Sequence, residues 1–459
     1  MNLTDRLVEF CLSADFDAIP ESVIKVQKSA LIDAVSVMVC ATRLEPSCRK
    51  IIDFAKRYSG DGRSTLFAAE AKLSAPMAAL ANGCLAHAMD FEDSHDTAFV
   101  HSNAVSIPAL LAVAEEQGGV SGKALITSMV VASEITCRLS MAVKEDLLPY
   151  GWYMPPVHGA MGAVFGVAKM MGLKREQLLD AIAILMNTYT CSGEVVNSRV
   201  SVIRLVRDGF AAKAAVEACL MAREGVKARF DTPLEGTKGF YAAYAGNRYF
   251  PERVTEGLGS VWESGNISFK PWPCCRATHA TIGALMDLMK KPGVSRESIA
   301  GIHLRVSEIM RMVLEESEIK YHPQSVMNAK MSIPFAVGLL LADGEITLSS
   351  FSQERLSDEA VLAGGSLVTY EYDPELDRDN AQKVIMTITL KDGTVYTRTV
   401  EHALGSIEHP MAEKDIYKKY RDCMNWSQKE KVAKNVDLIY RNLKEIEQCE
   451  TVEEIMKLM

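Results

Sequence analysis

Between residues 85 and 101 the chain reads LAHAMDFEDSHDTAFVH, which sets Asp90, Glu92, Asp93, Asp96, His87, His95 and His101 beside Ser94 and Thr97. Alanine-rich apolar sequence flanks this stretch on both sides. Carboxylates and imidazoles are costly to hold between buried elements unless they are paired or used. Imidazoles move protons near neutral pH, so acid–base chemistry is the first expectation. Further polar groups follow along the chain: His158, then Arg204 and Arg207, then Lys270, Cys275 and His279. Lysine and arginine in a desolvated cleft would hold substrate carboxylates, arginine being the better bidentate partner.

The same residues allow blander readings. Asp, Glu and His at these intervals can converge on a divalent metal or form an ion-paired helix end, and the spacing alone forces neither. His87 reads as a capping or packing residue, and His303, His322, His402 and His409 as exposed or structural. Cys274 and Cys275 form no recognisable metal pair, and Cys275 is a candidate to line a pocket. The glycines of GAMGAVFG, after His158, are no dinucleotide fingerprint, because no strand precedes them and no ribose-binding carboxylate follows in a βαβ context.

The elements that must position these groups fall into two kinds. A run from Ile19 to Val37, with Pro20-Glu21 where a first turn would start, predicts a helix. Residues 74–89 and 104–117 predict two more, and Ser121 is placed to cap another running through ALITSMVVASEITCRLSMAV. After Pro155-Pro156 the spacing predicts a helix containing His158, and Gly209 is read as opening a further one that Gly225 stops. From residue 267 the pattern changes. IAGIHLRV alternates as a strand, KVIMTITLKDGTVYTRTV reads as a hairpin turning at Asp392-Gly393, and Val368, Tyr370 and Tyr372 mark a third strand. A helix over residues 329–341 lies between, and helical sequence returns from Asp415.

The chain has 459 residues, too many for one simple core, which predicts two domains or one domain carrying an insertion. The expected architecture is mainly α: a multi-helical domain from residues 1–266 and 399–459, with a smaller α+β lid domain inserted at 267–398. A pocket is favoured where two domains meet. The net charge of -9 argues against a nucleic-acid surface while permitting a local basic pocket. No positively charged segment followed by an apolar run opens the sequence, and the apolar stretches at 104–114 and 333–342 are too short to span a bilayer. Eleven cysteines without CxxC spacing read as free thiols in a reducing compartment. A cytoplasmic protein with no membrane or nucleic-acid partner is expected.

Five blocks resemble the MmgE/PrpD family, which includes 2-methylcitrate dehydratase, cis-aconitate decarboxylase and iminodisuccinate epimerase: MDFEDSHDTAFVHSNAVSIPALLA, HGAMGAVFGVAKMMGL, RLVRDGFAAKAAVEA, FKPWPCCRATH and QSVMNAKMSIPFAVGLLLADGEI. They come in the family's order, and the similarity extends over nearly the whole chain. The resemblance implies a cofactor-free lyase or isomerase of small di- or tricarboxylates, without a metal, working as a homodimer. Asp90, Asp93, His95 and His101 match the first motif, with Glu92 and Ser94 as mild substitutions and Ser102 in place of a proline. His158 matches the histidine of the second block and Lys270 the lysine of the Lys-x-x-Pro block. His101, His158, Lys270 and Asp90 are therefore the expected catalytic residues, with Asp93, Ser94, His95, Arg204, Arg207 and Cys275 binding substrate. Arg204 and Arg207 stand where the decarboxylase pattern has lysine and histidine, and Cys275 stands where it has histidine. Because arginine is a poor proton donor, a dehydratase of a 2-methylcitrate-like substrate is the leading expectation. An epimerase is the alternative, and decarboxylation is the least expected.

Overall fold

The computed structural model describes residues 2–196, 201–376 and 380–459. The chain divides into two compact units, Met1–Ile267 with Lys414–Met459, and Ser268–Glu413. The first is helical and the second mixes helices with a sheet, so the fold is mainly α with a smaller α+β unit, as the two periodicities predict.

In the helical unit the principal helices are Glu21–Leu44, Ala75–Ala88, Ser102–Gln117, Gly122–Met141, Pro155–Met171 and Ile203–Arg223. Ser121 accepts a hydrogen bond from the Ala124 N–H and so satisfies one of the free donors at its helix start. Ser102–Gln117 is buried from Ser102 through Glu115, which explains why its sequence shows apolar and small residues on every face. Gly122–Met141 is the one helix among the described residues with the length and apolarity of a membrane span, and 83% of its apolar window is buried inside the protein.

One helix start differs from expectation. The helix carrying Gly209 begins at Ile203, with the glycine inside it. Gly209 is required by packing: a Cβ there would lie 2.2 Å from the Leu80 carbonyl oxygen, and one on Gly83 would lie 2.7 Å from the Gly209 Cα. The two glycines let Ile203–Arg223 cross Ala75–Ala88 at backbone contact. As a result Arg204, Arg207 and Asp208 lie on a helix that packs against the one ending near His87.

In the α+β unit four strands run in the order Val368–Tyr372, Ile299–Val306, Val384–Leu390, Val395–Val400. The first pair is parallel and the other two are antiparallel. Ile302, Leu304 and Val306 point into the core with Met386 and Ile388, against Leu285, Phe335 and Leu339. The hairpin turns at Gly393, whose φ of +87° suits glycine. The helix expected at 329–341 is split: Val326–Lys330 ends, Ser332 accepts from the Phe335 N–H, and Ile333–Asp343 begins. The segment after the last strand stays with this unit, since Phe269 donates its N–H to Gly405 O at 2.9 Å and Arg276 donates to Leu404 O at 2.7 Å.

Candidate active site

The segment joining Ala75–Ala88 to Ser102–Gln117 carries the carboxylate and imidazole groups. Two of its non-glycine residues, Asp90 with φ +50° and Phe99 with φ +53°, adopt the left-handed region, a strain that collects at sites where the surroundings impose geometry. The imposing contacts come from both ends of the helical unit. Lys419, on the helix Glu413–Met424, donates to Phe91 O at 2.7 Å, lies 3.8 Å from the Phe91 ring centroid and pairs with Asp33 at 2.5 Å. The Asp90 N–H donates to His87 O at 2.8 Å, and the His95 N–H to Val100 O at 2.9 Å.

At the centre of this stretch is Glu92, which is 1% exposed. Its Oε1 lies 2.5 Å from His87 Nδ1 and 3.1 Å from His101 Nδ1, and the two imidazole rings are 5.0 Å apart. His101 Nδ1 is also 3.0 Å from the Asp93 carbonyl oxygen. Across from the loop, Asp208 Oδ2 lies 3.7 Å from His87 Nδ1 and 3.7 Å from Arg207 Nε. Arg207 donates to the Arg204 carbonyl and, at 3.3 Å, to the Tyr153 hydroxyl. Both arginines pack on the Tyr153 ring, at 5.8 Å for Arg204 and 4.7 Å for Arg207. Burial opposes the charge of Arg207, but Tyr153, Asp208 and Glu92 outweigh it and hold the guanidinium above its ordinary range. Glu92 Oε2, Asp208 Oδ2 and Ser94 Oγ are buried and make no hydrogen bond to any described residue. A polar string thus runs from Tyr153 through Arg207, Asp208, His87 and Glu92 to His101.

The remaining expected site residues fall around this string or away from it. The Asp93 side chain accepts from Asn103; burial, aided by Asp33 and Glu92 and opposed by that hydrogen bond, pushes its carboxyl up to about 7. His95 turns aside: its Nδ1 accepts the Ala98 N–H at 3.0 Å, and its Nε2 lies 3.2 Å from Glu263, which that contact holds below the usual carboxylate range. His158 is buried beside Phe240, neither ring nitrogen hydrogen-bonds to a described residue, and burial pushes its pKa down to about 3. Lys270 and Cys275 belong to the α+β unit; Lys270 is fully buried, and Cys275 donates its N–H to Lys330 O at 3.0 Å. No disulfide joins any of the eleven cysteines.

His87, Glu92, Asp208 and Tyr153 were not singled out from the sequence as functional. Glu92 and His87 lay inside the suspect stretch. Asp208 was legible only as a neighbour of Arg207, and nothing in the sequence marked Tyr153. The donor atoms of His87, Glu92 and His101 lie within 4.8 Å of one another, a set able to hold a metal ion. The 2.5 Å between His87 Nδ1 and Glu92 Oε1 is a hydrogen-bond separation, however, whereas two donors on one tetrahedral zinc stand about 3.3 Å apart. The arrangement fits a shared proton better than a shared ion.

Comparison with known proteins bears on both units. The MmgE/PrpD N-terminal domain matches residues 5–253 and the MmgE/PrpD C-terminal domain matches residues 272–445. The chain is 27% identical over 444 residues to a cis-aconitate decarboxylase of Aspergillus terreus, covering 91% of this chain and 88% of that protein. It is 27% identical over 420 residues to the Homo sapiens cis-aconitate decarboxylase, covering 88% and 84%. A 2-methylcitrate dehydratase of Cupriavidus necator is 27% identical over 301 residues, covering 62% and 59%.

Proposed function

Because this chain belongs to the MmgE/PrpD family, we propose that it is an enzyme of small carboxylates that removes water from a di- or tricarboxylate of the 2-methylcitrate kind. The observation that carries this reading is the pairing of His101 with Glu92. An imidazole whose Nδ1–H is held by the Asp93 carbonyl 3.0 Å away, with the Glu92 carboxylate 3.1 Å off, has its basic lone pair on Nε2, the form a general base needs. His101 takes the proton α to a carboxylate, the electron pair passes to that carboxylate as an enediolate, and cations stabilise the charge that develops. The β-hydroxyl then leaves with a proton and the carbon–carbon double bond forms. Arg204 and Arg207 are the carboxylate-binding groups in this reading, and Asp90 orients the base.

His101 is preferred to His158 as the base. An imidazole with a pKa near 3 is a weak acceptor at neutral pH, and no described residue hydrogen-bonds to its ring nitrogens to stabilise the imidazolium. A second reading, decarboxylation of a cis-aconitate-like substrate, is favoured by the extended similarity to proteins of that name. Against it stand Arg204 and Arg207, which hold charge but do not deliver protons.

The test is an assay of 2-methylcitrate, citrate, cis-aconitate and iminodisuccinate, following unsaturated product, carbon dioxide and deuterium uptake from heavy water together. Unsaturated product without carbon dioxide supports dehydration. Carbon dioxide from cis-aconitate selects the second reading, and exchange with neither product points to epimerisation.

A further inference from the structure

His87 is 3% exposed and lies at the C-terminal end of Ala75–Ala88, where the helix dipole favours a cation. Two carboxylates face its Nδ1: Glu92 from the following segment at 2.5 Å, and Asp208 from Ile203–Arg223 at 3.7 Å. Among the described residues Arg207 shares Asp208, His101 shares Glu92, and the Asp93 carboxyl also feels the charge of Glu92. An imidazole between two carboxylates is favoured as the imidazolium, because opposite charges within about 4–6 Å stabilise the charged form. A cation there gives the buried Glu92 carboxylate a counter-charge at close range. The Glu92 carboxylate, 3.1 Å from His101 Nδ1, stabilises the imidazolium His101 becomes, while the Asp93 carbonyl 3.0 Å away holds the tautomer.

We propose that His87 and Asp208 are positioning residues for His101: His87 stays protonated between Asp208 and Glu92, and that cation fixes the Glu92 carboxylate in place facing His101 Nδ1. This rests on the reading of His101 as the base. The His87 proton is not consumed in turnover; only His101 gains and returns a proton. Glu92 Oε1 thereby serves two imidazoles with different tasks, one a fixed charge and the other a working base. Asp208 acts through His87 without reaching the reacting atoms.

The experiment is a pH titration of ¹⁵N-histidine-labelled full-length protein, with the His87 signals assigned by their loss in His87→Gln. His87 is expected to remain an imidazolium above pH 8, and Asp208→Asn, nearly isosteric, to lower its titration by about one unit or more. Both variants should lower kcat by roughly 10–100-fold with KM changed less than about twofold, and should move the acid limb of kcat/KM to lower pH as His101 loses the fixed position of the Glu92 carboxylate beside it. A neutral His87 at pH 7, or a titration unmoved by Asp208→Asn, overturns the proposal. If His87 is cationic and responds to Asp208→Asn while His101→Ala keeps its turnover, the His87–Asp208 pairing stands, and the assignment of the base is what fails.

Discussion

Glu134 and Arg138, one turn apart on Gly122–Met141, form a buried ion pair in which both partners are engaged. Glu134 Oε1 lies 2.6 Å from Arg138 Nε, Glu134 Oε2 accepts the Ser264 N–H at 2.8 Å, and Arg138 donates to Glu256 O at 2.8 Å and Val261 O at 2.7 Å. The cluster of His87, Glu92, Asp208 and Arg207 is as deeply buried in the same unit, yet it leaves Glu92 Oε2 and Asp208 Oδ2 without a hydrogen bond to any described residue. Desolvation is equally costly in both places, so the difference lies in what offsets it. Around Arg138 the chain offsets it with its own backbone, which makes a fastening. Around Glu92 it keeps acceptor capacity in reserve, the arrangement expected where a proton or a ligand must come and go.

The comparison can be broken by truncating the fastening. Glu134→Ala leaves the Arg138 guanidinium buried without its counter-ion and should cost roughly 3–5 kcal/mol of stability in denaturant unfolding, with turnover per folded molecule little changed. A large loss of turnover at nearly unchanged stability would show that the two clusters do not differ in kind.

Two buried groups near the site sharpen the contrast through pH. The Asp93 carboxyl is raised to about 7, so the folded state binds the extra proton between pH 4 and 7, and stability falls as pH rises through that window. Asp93→Asn should therefore gain stability relative to the parent on going from pH 4 to pH 8, by up to roughly 4 kcal/mol. His158 is depressed to about 3, so the unfolded state binds the extra proton, and stability falls as pH drops below about 6.5. His158→Leu should flatten that acid-side decline, and unfolding midpoints across pH 4–8 would read both effects. Identical pH profiles for parent and variants would remove burial as the cause of either shift.

Much of this architecture was legible in the chain. The alternation of Ile302, Leu304 and Val306 and the Asp392-Gly393 turn specified the sheet's central strand and hairpin, because strand period and turn chemistry are local. The start of Ile203–Arg223 was not legible, because Gly209 reads as a breaker until the backbone of Leu80 is seen against it. The stretch from Asp90 to His101 announced itself by its polar density. Its internal pairing did not, since Asp208 and Lys419 reach it from distant parts of the sequence and only the fold supplies them. His87 reads from the sequence as a capping or packing residue and His158 as a candidate base through its match to the family's second block; how completely each is enclosed is visible only in the fold.

The central claim is that a proton α to a carboxylate is removed at His101, within the cluster around Glu92. Its most direct test is deuterium incorporation from heavy water into the substrate the parent turns over, measured for the parent, His101→Ala and His158→Leu. Loss of exchange by roughly 10²–10⁴-fold in His101→Ala, with His158→Leu retaining most of the parent rate, is the predicted result. Exchange at the parent rate in His101→Ala, with loss in His158→Leu, would contradict it.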